Sequence, residues 1–181
     1  MAAALTTSAL STFTSEAEVK LTVGVKKSGD IQAVQARLSD SYSKARLIVG
    51  VLKGATADVD DGKIQKRIPV APYAAVHEYG AKNVPQRSFL RSTMMAKEGE
   101  WRKAIYYALQ RRGADHPAEA LRDVGNLVRG DVVATIRRGD FAPLSPKTVK
   151  AKERKGRPEP NAPLIDTGSL IRSIGFEVRN K

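Results

Sequence analysis

The sequence predicts an α+β domain: a small antiparallel sheet covered by an antiparallel pair of long helices, with short capping helices. Three observations carry this. Two long windows, 87–112 and 115–138, repeat apolar residues at helical spacing. Short windows at 19–25, 45–52 and 174–179 are apolar-alternating or rich in β-branched residues. Glycine or proline stands at most of the boundaries between them.

Residues 1–18 are small and hydroxylated with little apolar pattern, which predicts a flexible arm that orders only on a partner, ahead of a single domain over 19–181. Val19, Leu21, Val23 and Val25 alternate with polar or small residues, a period-2 strand. Asp30 can cap a helix over 31–43 with Ile31, Val34 and Leu38 on one side. Leu47, Ile48, Val49 and Val51 read as a half-buried central strand, with 174–179 as its partner. Residues 54–69 form a polar loop closed by Pro69. Its aspartates miss the calcium-loop spacing and no glutamate closes it, so a hairpin tip is the simpler reading.

From Pro72 to Tyr79 the pattern is a short helix with proline in its first turn and Gly80 as stop. His77-Glu78 opens like a zinc-protease helix, but position 81 is Ala, so the second histidine is missing and the pair reads as orienting hydrogen-bonders beside the core. In the long helices Leu90, Met94, Trp101, Ile105 and Leu109 make one stripe, and Leu121, Val124, Val128, Val132 and Ile136 the other. Gly113 and Gly139 end them. Ser145 caps a basic helix over 146–155, and Asp166 is expected to cap the turn that delivers the last strand.

Charge is the strongest compositional bias. There are 31 Lys and Arg against 19 Asp and Glu, net +12, which favours acidic partners, whether nucleic acid or protein. Six of the eleven residues from Lys147 to Arg157 are basic and one is acidic. No window approaches the roughly 18 apolar residues of a membrane helix, and the start lacks the pattern of a secretory signal. With no cysteine there is no disulfide framework or thiolate metal site.

Chemistry is sparse. Only two histidines occur, and no phosphate-binding glycine loop. Asp166-Thr-Gly matches the aspartic-protease tripeptide, but that reaction needs a second carboxylate and a strand-loop setting. The expectation is no catalytic residue, no metal and no cofactor. A nucleic-acid-binding accessory role competes on charge alone, although no aromatic interleaves the lysines for base stacking.

Four segments in order carry a resemblance: Ala71-Pro-Tyr-Ala-Ala-Val-His-Glu-Tyr-Gly, Val84-Pro-Gln-Arg-Ser-Phe-Leu-Arg, Pro143-Leu-Ser-Pro-Lys-Thr-Val-Lys-Ala-Lys and Pro163-Leu-Ile-Asp-Thr-Gly-Ser-Leu. Over roughly 45–179 the chain resembles tailed-phage virion morphogenesis proteins, the tail-completion and head–tail joining (neck) proteins related to minor tail protein Z. The resemblance implies a small structural α+β subunit made in the host cytoplasm and resident in the virion. Copies would close into a ring, six-fold, between head connector and tail tube or terminator. A tail terminator or other connector ring is the alternative within the particle. Contact with genomic DNA would be non-specific, and no membrane is involved. Arg87, Phe89 and Arg91 match one family segment, and Pro143, Leu144 and Lys147, with Leu164, Asp166, Thr167, Gly168 and Leu170, match the C-terminal signature. The candidate partner-interface residues are Arg87, Phe89, Arg91, Pro143, Leu144, Lys147, Lys150, Lys152, Arg154, Lys155 and Arg157. The six cations from Lys147 to Arg157 are expected to face a partner rather than the core, because burying them unpaired would be prohibitive.

Overall fold

The computed structural model describes residues 16–18, 45–60, 65–113 and 115–180. The expected strand at 19–25, the helix at 31–43 and most of the N-terminal arm lie outside them, as do residues 61–64 of the segment 54–69 read as a polar loop.

Strand β2 (Ala45–Val51) runs at the centre of a three-stranded antiparallel sheet, between β1 (Glu16–Glu18) and β5 (Ile174–Asn180). The arm expected over 1–18 therefore ends in a strand: Glu16 pairs with Gly50 and Glu18 with Ile48. On the other side Val51 lies opposite Ile174 and Ala45 opposite Asn180. Ala45, Leu47, Val49 and Val51 are buried, one side of the pleat. A separate hairpin of β3 (Thr56–Asp60) and β4 (Gln65–Pro69) occupies the segment read as a polar loop, with Thr56 opposite Pro69 and Asp58 opposite Arg67.

Five helices follow: α1 (Val70–Tyr79), α2 (Leu90–Arg112), α3 (Pro117–Arg138), α4 (Pro146–Arg154) and α5 (Ser169–Ser173). The fold is α+β, with α3 lying directly on β2 and β5 and α2 packed along α3. The five apolar positions of α3 read from the sequence are all buried, as are Trp101, Ile105 and Leu109 of α2. Trp101 Nε1 donates to Asp131 Oδ2 across the pair at 2.6 Å. At the turn, the guanidinium groups of Arg112 and Arg111 hold the Asp123 carboxyl at about 2, well below its ordinary range. Among the described residues no helix is long and apolar enough to cross a membrane.

Gly125 sets how closely α3 meets the sheet. A Cβ there would stand 2.4 Å from the Phe176 ring of β5, whereas one at Gly130, on the same helix, would meet nothing within 4 Å. Gly130→Ala should therefore stabilise the protein by about 0.5–1 kcal/mol through helix propensity. Gly125→Ala gains the same propensity but must displace Phe176, at a cost of about 1–3 kcal/mol. Denaturant unfolding of the two variants should shift the midpoint in opposite directions, up for Gly130 and down for Gly125.

Candidate partner interface

The site residues sort by what their charges touch. The first group surrounds Glu78, in the last turn of α1 and only 3% exposed. Its carboxylate accepts from the backbone N–H groups of Phe89 at 2.8 Å, Leu90 at 2.9 Å and Arg91 at 3.0 Å. Those are orphan donors at the start of α2, which has no side-chain cap of its own. An anion from a neighbouring helix fills the place that a local Ser or Asp fills elsewhere, favoured also by the helix dipole. Ser88 Oγ and Arg91 Nε donate to the same carboxylate. The Arg91 guanidinium also lies over the Tyr79 ring, 4.5 Å from its centroid. Helix α2 thus begins at Leu90 rather than 87, with Arg87 and Ser88 in the irregular approach to it.

Two of the expected interface residues in this approach are internal. Phe89 is fully buried in the core. Arg87 is 4% exposed; its Nε donates to the carbonyl of Ala142 at 2.8 Å and its Nη2 to that of Pro143 at 3.0 Å. It ties the start of α2 to the segment after α3, and its role is to satisfy backbone acceptors. Its backbone N–H donates to the His77 carbonyl at 2.7 Å. Burial, with a smaller contribution from the nearby Arg87 charge, pushes the His77 imidazole pKa below its ordinary 6.5 and favours the neutral ring.

Helix α4 divides the basic segment in two. Ser145 caps it, accepting from Thr148 N at 3.2 Å. Lys152 faces inward and is only 7% exposed, against the expectation that all six cations face a partner. Its ammonium is not left unpaired: Nζ donates to the carbonyls of Glu159 at 3.1 Å, Ala162 at 2.9 Å and Ile165 at 2.5 Å. Three donors on one ammonium close the irregular segment that follows α4. Burial lowers the Lys152 pKa, and the charges of Asp166 and Glu159 oppose that shift.

Arg157 is half-buried and donates from Nε to Asp166 Oδ1 at 2.9 Å. This overturns the expected cap: α5 starts after Gly168, which is left-handed at φ 75°, and makes no side-chain cap bond. Asp166 lies two residues before the cap position, Gly168, and its carboxylate is turned to Arg157.

What remains outside is Lys147, Lys150, Arg154 and Lys155, all exposed, with Pro143 exposed and Leu144 half-buried beside them. Lys147, Lys150 and Arg154 are three and four residues apart and so share one face of α4. Among the described residues none of these three makes an ion pair or side-chain hydrogen bond. Among the described residues no three His, Asp or Glu side chains are grouped as a metal would need.

No protein-family model, no curated protein and no solved structure matches this chain.

Glu78→Ala should strip three amide donors of their acceptor, lowering stability by about 3 kcal/mol and exposing the first turn of α2 to amide exchange before the rest of the helix.

Lys152→Met should cost about 2–4 kcal/mol, since three carbonyls lose their donor. Joint reversal of Lys147, Lys150 and Arg154 to Glu should change stability by less than about 1 kcal/mol. Thermal and denaturant unfolding of the two proteins separates the structural cation from the surface ones.

Proposed function

We propose that the protein is a non-enzymatic structural subunit of a tailed-phage particle, closing with copies of itself into a ring, six-fold, that joins tail to head at the neck. The observation that carries this reading is where the polar residues of the four motif segments go. Glu78, Arg87 and Lys152, among the described residues the buried charged groups on which chemistry could have been built, all bind backbone groups. A segment series that serves to lock backbone supports an architectural role. The exposed row of Lys147, Lys150 and Arg154 leaves a charged surface for an acidic neighbour. Rings are built from one heterologous contact repeated about an axis, so a single such face with a complementary face elsewhere on the subunit suffices.

The exposed row also favours a second reading, a basic accessory protein that binds nucleic acid. Phosphate binding by several cations falls steeply with salt. A DNA complex that keeps a sequence or structure preference at physiological salt would support this second reading; loss of all binding there removes it.

For the first reading, infection with a phage lacking this protein should yield full heads and complete tails that do not join, seen by electron microscopy of the lysate. Normal virions would overturn it.

A further inference from the structure

Strand β5 stands at an edge of its sheet. β2 pairs along one side of it, and among the described residues no strand pairs along the other. Two bonds show which backbone groups face each way. The Ser173 carbonyl accepts from the Leu52 N–H at 3.1 Å and so points to the β2 side. Ile174 is extended, at φ −69° and ψ 120°, which turns its own carbonyl the opposite way. There it accepts from Arg129 Nε at 2.8 Å. In an antiparallel strand each residue turns both its N–H and its C=O to one side, and the sides alternate. Gly175, Glu177 and Arg179 therefore bond toward β2, while Phe176, Val178 and Asn180 present theirs outward. Arg129 closes the edge at Ile174, and from Phe176 to Asn180 it is a template for another strand.

The side chains alternate as well. Phe176 lies against Gly125 of α3, and Val178 on the same face is half-buried. Glu177 and Arg179 are exposed on the opposite face, joined by an ion pair of 2.9 Å. Arg179 also stands opposite Arg46 of β2, a like-charge pair across the ladder.

This pattern is complementary to itself. Outward-bonding residues must face each other, so for a second, antiparallel β5 only a few two-fold registers are open. Centring on Val178 sets Phe176 opposite the partner's Asn180 and uses the whole open stretch. It also sets Glu177 opposite the partner's Arg179, and Arg179 opposite the partner's Glu177. Centring on Glu177 would oppose two carboxylates, and centring on Arg179 two guanidinium groups. Opposite charges facing across an antiparallel pair stabilise it and like charges destabilise it, so charge selects the Val178 register.

We infer that β5 is a self-docking edge: two copies of this chain pair their β5 strands antiparallel about a two-fold axis at Val178, joining two sheets into one. A ring built from one heterologous contact contains no such axis, so the dimer is a state of the free chain and does not rest on the reading above. Sedimentation velocity of the full chain should show a dimer by millimolar concentration. Glu177→Arg and Arg179→Glu should each weaken self-association about ten-fold, because like charges then face each other in both pairs. An equimolar mixture of these two variants should associate again, since unlike charges then face each other throughout. Mixing cannot repair the ion pair lost within each strand, so recovery reports the contact between copies. Val178→Pro removes an outward N–H without touching the ladder to β2, and should leave a folded monomer. Should that variant fail to fold, the charge variants decide. A chain that stays monomeric at millimolar concentration, a dimer indifferent to both reversals, or a mixture that does not associate would sink the inference.

Discussion

The carboxylate of Glu78 is the constraint on which much of the architecture depends. It is buried at the end of α1 and accepts from three successive backbone amides at the start of α2. A charged group is costly to remove from water unless its acceptor sites are filled. Here donors from residues 88–91, at the approach to α2 and in its first turn, fill them, and Arg91 adds a half-exposed countercharge. The bond fixes both the place where α2 begins and the angle at which α1 meets it. Phe89, the residue before α2, is thereby held fully inside the core.

The same logic recurs along the irregular C-terminal third. A chain without regular hydrogen bonding leaves carbonyls in need of donors. Arg87 reaches across from the α2 approach to two of them after α3, and Lys152 gathers three after α4. Each is a long side chain whose stem packs inside while its head works as a multidentate donor. Cations that would serve as surface charge in a regular helix here replace missing ladder bonds. They also hold open the space beneath α4, because the segment from Glu159 to Ile165 is tied to Lys152 while Leu164 and Ile165 line a cavity there.

Division of labour on α4 follows from its periodicity. Lys147, Lys150 and Arg154 fall on one side, and Lys152 on another, turned into the protein. A net charge of +12 is thus partly structural, and only the exposed share is open to partners. That split matters for any attempt to read interface from composition: the densest basic run in the chain contains the most deeply buried lysine among the described residues.

By itself the sequence determined the long α3 stripe of Leu121, Val124, Val128, Val132 and Ile136, the glycine stops at 113 and 139, the Ser145 cap and the pairing of β5 with β2, since each rests on periodicity or on backbone preferences acting over a few residues. It also marked Glu78 as an orienting hydrogen-bonder, without showing what it orients. Tertiary structure alone decided that Arg87 and Phe89 point inward, that Lys152 is enclosed by carbonyls, that Asp166 pairs with Arg157 instead of capping α5, and that residues 16–18 add a strand to the sheet. In each of these cases the partner lies well outside the local window: 55 residues from Arg87 to Ala142, 13 from Lys152 to Ile165, 9 from Arg157 to Asp166. A polar side chain takes whichever unsatisfied group the fold brings to it. Local pattern fixes where helices and strands form, but that choice is made only when distant segments meet.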